Sequence, residues 1–210
     1  PNAAVVLTVD GEEITGESFD KKTSVTGRTL PSNYDGENLT YTYTDLVIRK
    51  GERLDISAKE ALEDMGPGDV FVKGANAINY ERDQAAVLIG HPTGGNVGLA
   101  IGPAMARRIC FLHPVGLEKS VSVDLVEVAE AINSDPEGKG PTLWVVPGPL
   151  FTEIEALDVL TGVEAIPAGA GGVGGAEGAV WLALFGTKQE LDLAQNVISS
   201  VRGEPTFTSA

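Results

Sequence analysis

From residue 54 onward, apolar segments alternate with segments that begin like helices, and this alternation constrains the fold more than any other feature. Three helix starts have the spacing of a capping box, in which two side chains satisfy free N–H groups of the first turn: Ser57 with Glu60, Thr152 with Glu155, and Thr187 with Glu190. The apolar segments that predict strands are residues 69–73, 85–90, 109–112, 143–146, 163–167 and 179–186. Apolar strands that alternate with helices favour a parallel sheet covered on both faces. We therefore predict an α/β fold with a mostly parallel, open sheet and helices on both faces.

The N-terminal part of the chain differs from the rest. It is polar, rich in Thr and Tyr, interrupted by Pro31 and Gly36, and shows no helical period. We predict a β-rich segment or flap over residues 1–50, followed by an α/β domain over residues 51–210.

Charge and composition exclude some partners. The chain has 15 Lys and Arg against 30 Asp and Glu, a formal net charge of -15, and such a field repels nucleic acid and anionic lipid. No apolar run approaches the roughly 20 residues that span a bilayer. We predict no nucleic-acid or membrane partner. A single cysteine, Cys110, excludes an intrachain disulfide and fits a cytoplasmic location.

A glycine-rich stretch covers residues 168–178, and its Gly169, Gly171 and Gly174 have the G-x-G-x-x-G spacing of a dinucleotide-binding loop. That fingerprint requires a helix after the loop, whereas residues 179–186 are apolar like a strand. The match is therefore interpreted as accidental, and no cofactor is predicted. Two alternatives stay open: the backbone N–H groups form an anion-binding nest, or the glycines only allow close packing.

If the predicted strands are parallel, their carboxyl ends lie along one edge, where open α/β sheets bind ligands. Both histidines follow such strands, each as His-Pro. The candidate site residues at this edge are Lys73, Asn76, His91, Thr93, Gly94, Gly95, His113, Glu118, Lys119, Thr152, Glu153, Gly171, Gly172, Gly174, Gly175 and Glu177.

Three chemistries could use this set. The histidines and glutamates could bind a metal, although no clustered spacing supports this and we predict no metal site. A glutamate could act as nucleophile or general base while a lysine or backbone N–H groups hold an anionic substrate. Alternatively, the polar loops simply cap strand ends.

Residues 68–121 read GDVFVKGANAINYERDQAAVLIGHPTGGNVGLAIGPAMARRICFLHPVGLEKSV. This text resembles the LUD (lactate-utilisation) domain, which belongs with the glucosamine-6-phosphate deaminase, ribose-5-phosphate isomerase and CoA-transferase-like fold. The resemblance covers about a quarter of the chain. It implies enzymes that handle phosphosugars and acyl-CoA, often with a glutamate and glycine-rich loops, and Glu177 is the position that matches loosely.

Together these observations predict a protein that binds a small anionic metabolite (a phosphosugar, an acyl-CoA or an organic acid) at the carboxyl edge of the sheet. As an isomerase or acyl/CoA-transferase-like enzyme, it would use Glu177 and His91 as candidate catalytic residues. The alternative is a non-catalytic accessory or assembly protein that retains the fold. Association into a homo-oligomer is compatible with either hypothesis.

Overall fold

The computed structural model of the chain describes residues 7–9, 12–14 and 45–202. Its strands are β1 (Leu7–Val9), β2 (Glu12–Ile14), β3 (Val47–Arg49), β4 (Glu52–Leu54), β5 (Val70–Val72), β6 (Ala77–Asn79), β7 (Gln84–Ile89), β8 (Cys110–Pro114), β9 (Thr142–Val146), β10 (Leu150–Phe151), β11 (Glu164–Ala170) and β12 (Val180–Phe185). Its helices are α1 (Ala58–Asp64), α2 (Gly95–Arg107), α3 (Leu125–Asn133), α4 (Glu153–Thr161) and α5 (Lys188–Val201), with a 3-10 turn at Leu117–Lys119. The fold is mixed α/β.

The capping boxes begin helices as predicted. The side chains of Ser57, Thr152 and Thr187 accept from backbone N–H groups of the first turns of α1, α4 and α5, and the glutamate of each box bonds back to the cap residue. These contacts lie within one turn, which is why sequence spacing alone predicts them.

Two hairpins are described in the N-terminal part of the chain. β1 pairs antiparallel with β2, and β3 pairs antiparallel with β4. The predicted boundary between residues 50 and 51 falls in the turn of the second hairpin, while residues 1–6, 10–11 and 15–44 of the predicted flap lie outside the described residues.

In the described part of the chain, parallel strand pairing occurs in one three-stranded sheet, with the order β10-β8-β5, and an isolated parallel bridge joins Ile78 to Ser120. The prediction of a parallel direction is wrong for β7, β9 and β11. β7 pairs antiparallel with both β6 and β9, and β11 pairs antiparallel with β12. The short strand β6, which the sequence did not predict, turns back through Tyr80–Asp83 into β7 and sets its direction.

Three clusters of buried side chains hold these layers together. The largest surrounds Phe111 of β8 and includes residues of α1, α2 and β7. α3 packs on β7 and β9 through Leu125 and Leu143. α4 and α5 cover one face of the β11–β12 hairpin through Leu157 and Ala194. Within the described ranges, none of the helices is long and apolar enough to cross a membrane.

Candidate functional site

The carboxyl edge of the parallel sheet brings together five of the predicted site residues. Lys73 follows β5, Glu118 and Lys119 lie in the turn after β8, and Thr152 and Glu153 follow β10. Parallel strands in adjacent positions end at the same edge, so these residues are neighbours in space although they are far apart in the chain.

A cleft of about 530 Å³ lies beside this edge. One wall carries the side chains of Glu118 and Glu153, and the opposite wall is the glycine loop, through Gly175, Ala176 and Gly178. Its volume is in the range of small-molecule sites.

Glu153 and Thr152 make hydrogen bonds that stabilise the local structure. One carboxylate oxygen of Glu153, Oε2, accepts a hydrogen bond of 2.9 Å from the backbone N–H of Leu117, which fixes the 3-10 turn against α4. Thr152 is buried and donates to Glu155 from both its backbone N–H, at 2.7 Å, and its hydroxyl, at 2.6 Å. Thr152 therefore acts in the helix cap rather than facing the cleft.

Tyr80 ties the β6–β7 turn to the start of α4. Its hydroxyl donates to Glu155 Oε1 at 2.6 Å. Burial raises the pKa of Glu155, but the hydrogen bonds from Thr152 and Tyr80 outweigh it and hold that pKa below its ordinary value. Burial, together with the neighbouring carboxylate, raises the pKa of Tyr80 to about 12. This contact is missing from the sequence prediction because 75 residues separate the partners.

Two lysine ammonium groups lie at the turn after β5. Lys73 Nζ donates to the carbonyl of Gly74 at 3.4 Å, and Lys119 Nζ donates to the carbonyl of Ala75 at 3.1 Å. Burial, and secondarily the charge of Lys119, hold the pKa of Lys73 below its usual value. Among the described residues, neither lysine has a carboxylate within salt-bridge distance.

His113 does not face a cleft. Its side chain is fully buried, with Nδ1 2.8 Å from the carbonyl oxygen of Lys73 and Nε2 2.9 Å from that of Pro147. A neutral ring donates from one nitrogen only, so both contacts are hydrogen bonds only in the imidazolium form. The ring therefore joins the ends of β5 and β9, while its ligand-binding role stays a prediction.

Asn76 also has a structural role. Its backbone N–H donates to the carbonyl of Ala86 at 2.9 Å, and its side-chain oxygen accepts from the N–H of Leu88 at 3.0 Å. The side chain thus continues the β6–β7 ladder beyond the end of β6, which explains a polar residue at this position.

His91 lies apart from the cluster of Lys73 and Lys119. It follows β7, whose last residue pairs with Thr142, whereas His113 contacts Pro147 beyond the other end of β9. Those two points on β9 are about 17 Å apart along the strand. The expectation that the two histidines share one edge fails because β7 runs antiparallel to β9.

The His-Pro-Thr-Gly-Gly segment forms the start of α2. His91 Nδ1 accepts from the backbone N–H of Thr93 at 3.2 Å, and Gly94 and Gly95 have positive φ angles of 82° and 56°. A Cβ on Gly94 would lie 2.9 Å from the Trp144 ring, so glycine is required there for both conformation and packing.

The glycine loop connects β11 to β12 in a hairpin and is closed by a hydrogen bond of 2.8 Å from the Gly171 N–H to the Ala179 carbonyl. Because a strand follows the loop, no helix N-terminus stands behind it, in agreement with the interpretation of its G-x-G-x-x-G spacing as accidental. Glu177 is exposed, and its Oε1 accepts from the Gly175 N–H at 3.2 Å. Gly172 is also exposed in this loop.

Comparisons with models of protein families, with curated protein sequences and with solved structures gave no match. The resemblance to the LUD domain stays a prediction from residues 68–121. Within the described ranges, no group of three or more His, Cys, Asp and Glu side chains is placed to hold a metal ion.

Proposed function

We propose that the protein binds a small metabolite through an anionic group held by Lys73 and Lys119. The observation that carries this proposal is the placement of the two ammonium groups at one turn, where, among the described residues, each bonds only to a backbone carbonyl, those of the adjacent Gly74 and Ala75. Burial and the nearby charge of Lys119 disfavour the ionised form of Lys73. Such arrangements are concentrated at functional sites. An anion between them would relieve the repulsion and replace weak carbonyl contacts with charge-assisted bonds.

The cleft at the same edge of the sheet, which neither lysine lines, would hold the rest of the ligand. Glu118 precedes Lys119 in the chain and lines the cleft with a carboxylate that is exposed. In the narrower form of the proposal the protein is an isomerase or acyl/CoA-transferase-like enzyme. Glu118 is then the carboxylate placed to exchange a proton with a ligand bound at Lys119.

The test is a thermal-shift screen with phosphosugars, CoA and its thioesters, short organic acids and inorganic phosphate. A ligand at 100 times its Kd stabilises the folded state by about 2.7 kcal/mol. We expect Lys73→Met and Lys119→Met each to abolish the shift, and Lys188→Met, an exposed lysine on α5, to retain it.

Lys73→Met has a second expected effect in the absence of ligand. Because the folded state disfavours the charge of Lys73, its removal should raise the melting temperature of the free protein. A variant that melts higher yet no longer responds to the ligand separates lost binding from lost folding. Equal ligand shifts in all three lysine variants and the wild type would refute the proposal.

A second candidate is an accessory or assembly protein, and the β11–β12 hairpin favours it. Its outer face exposes Ile166, Trp181 and Phe185, with Trp181 67% exposed. Large apolar side chains grouped on a surface often mark protein contacts. The inner face of the same hairpin packs on α4 and α5, so only the outer face is available to a partner.

A further inference from the structure

The glycine loop already holds a negatively charged group. The carboxylate of Glu177 accepts from the backbone N–H of Gly175 at 3.2 Å. Backbone N–H groups of Glu177 itself, Gly175 and Gly174 lower the pKa of this carboxyl. Gly174 and Gly175 have positive φ angles of 65° and 99°, a left-handed backbone that glycine adopts without steric cost.

This arrangement differs from that of a proton-transfer residue. Efficient general acid–base groups have pKa values near the working pH, and the loop moves the pKa of Glu177 away from that range. An exposed carboxylate is also well solvated by water. Its hydrogen bond to the loop therefore indicates that the N–H groups of the loop can bind an oxyanion. Glu177 acts here as an anion bound by its own loop.

The glycine loop also lines the cleft. Gly175 and Gly178, on both sides of Glu177, line the cleft of about 530 Å³, whereas Glu177 itself does not. Displacement of its carboxylate therefore exposes backbone donors at the cleft mouth and leaves the cleft walls in place.

We propose that the glycine loop is a second anion-binding subsite, occupied by the Glu177 carboxylate in the free protein and opened when a phosphate or carboxylate of the ligand replaces it. This inference rests on the proposed function for the first anionic contact, at Lys73 and Lys119. The ligand class that fits both contacts is a metabolite with two anionic groups, such as a phosphorylated carboxylic acid. Glu177 is then a competitor of the ligand.

The experiment is a titration with inorganic phosphate, followed by the amide resonances of Gly174, Gly175 and Glu177 in ¹⁵N-labelled protein. Glu177→Gln keeps the shape of the side chain but weakens its hold on the N–H groups, because charge-assisted bonds are roughly twice as strong as neutral ones. We expect the phosphate midpoint at the loop to fall several-fold in this variant. Glu164→Gln, at the base of the same hairpin, removes an equal charge outside the loop and should leave the midpoint unchanged.

The outcomes separate this inference from the proposed function. Absence of loop shifts in Glu177→Gln, or the same midpoint in both glutamine variants, overturns the second subsite. Loop shifts that persist while Lys73→Met and Lys119→Met retain wild-type ligand binding overturn the lysine site and leave the loop subsite standing. A lowered midpoint in Glu177→Gln alone, with binding lost in the lysine variants, supports both.

Discussion

The side chain of Asn133 should stabilise the protein because it bonds to the edge of β9 as a neighbouring strand would. Its side-chain Nδ2 donates to the Leu143 carbonyl at 2.8 Å, and the Leu143 N–H donates to its Oδ1 at 3.0 Å. Successive residues of a strand direct their N–H and C=O groups to opposite sides. On β9, the groups directed away from β7 therefore belong to Leu143 and Val145. The prolines at 141 and 147 lack N–H groups. The Asn133 amide therefore satisfies both edge groups of Leu143, which is half of the backbone groups that Leu143 and Val145 present at this edge.

The expected magnitude follows from the burial of Leu143, which is 4% exposed. In Asn133→Ala both hydrogen bonds disappear, and a buried backbone N–H and C=O lose their partners. Each net bond contributes about 1 kcal/mol, and an orphaned buried group costs about 1–3 kcal/mol. We expect a loss of about 2 kcal/mol in the free energy of unfolding. For a chain of this size, that corresponds to a fall of about 4–8 °C in melting temperature.

The assay is urea denaturation followed by circular dichroism, with light scattering on the folded protein. Asn196→Ala, at an exposed position of α5, is the matched control and should change stability by less than about 0.5 kcal/mol. Asn133→Asp keeps an acceptor for the Leu143 N–H but has no donor for its carbonyl, so an intermediate loss is expected. The newly opened edge should also increase self-association in Asn133→Ala. If Asn133→Ala and Asn196→Ala unfold at the same urea concentration, the reasoning is refuted.

Two further predictions concern acid stability and association. The folded-state pKa of Glu155 is lowered, so its stabilisation is present above the ordinary carboxyl pKa of about 4.3 and is lost as pH falls below it. The urea midpoints of wild type and Glu155→Gln should therefore converge as the pH falls below this value; a constant difference would contradict this. Trp181→Ser should reduce any self-association seen by light scattering without lowering the melting temperature, whereas unchanged association would exclude the hairpin face as the contact.

Local features of the fold, such as helix starts, could be predicted from the sequence, whereas the directions of the strands could not. The capping boxes at Ser57, Thr152 and Thr187 were correctly assigned because their contacts span three residues. Strand direction depends on pairing between distant segments, and a buried apolar run has the same pattern in parallel and antiparallel sheets. The direction of β7 is set by its turn from β6, and the sequence of residues 85–90 alone does not indicate that direction.

The candidate site shows the same division. The grouping of Lys73, Glu118 and Lys119 rested on a parallel β5–β8 pair, which the structure contains, and their role as a site stays a prediction. His91 was grouped with them through an assumed parallel β7, and the antiparallel pairing of β7 with β9 separates it. The buried role of His113 had no signal in the sequence, because its partners are backbone carbonyls 40 and 34 residues away.

The imidazole of His113 has a consequence for how motion spreads through the molecule. In the described residues, β5–β8–β10 and β6–β7–β9 are separate sheets with no shared ladder. The ring bridges them by contacting the carbonyls of Lys73 and Pro147. A displacement of the Lys73 backbone on ligand binding is therefore passed to Pro147 through this ring, alongside the backbone hydrogen bond from His113 to Pro149 and the parallel bridge between Ile78 and Ser120. Amide hydrogen exchange after β9 should slow when a ligand occupies the lysines, because the two sheets then open as one unit.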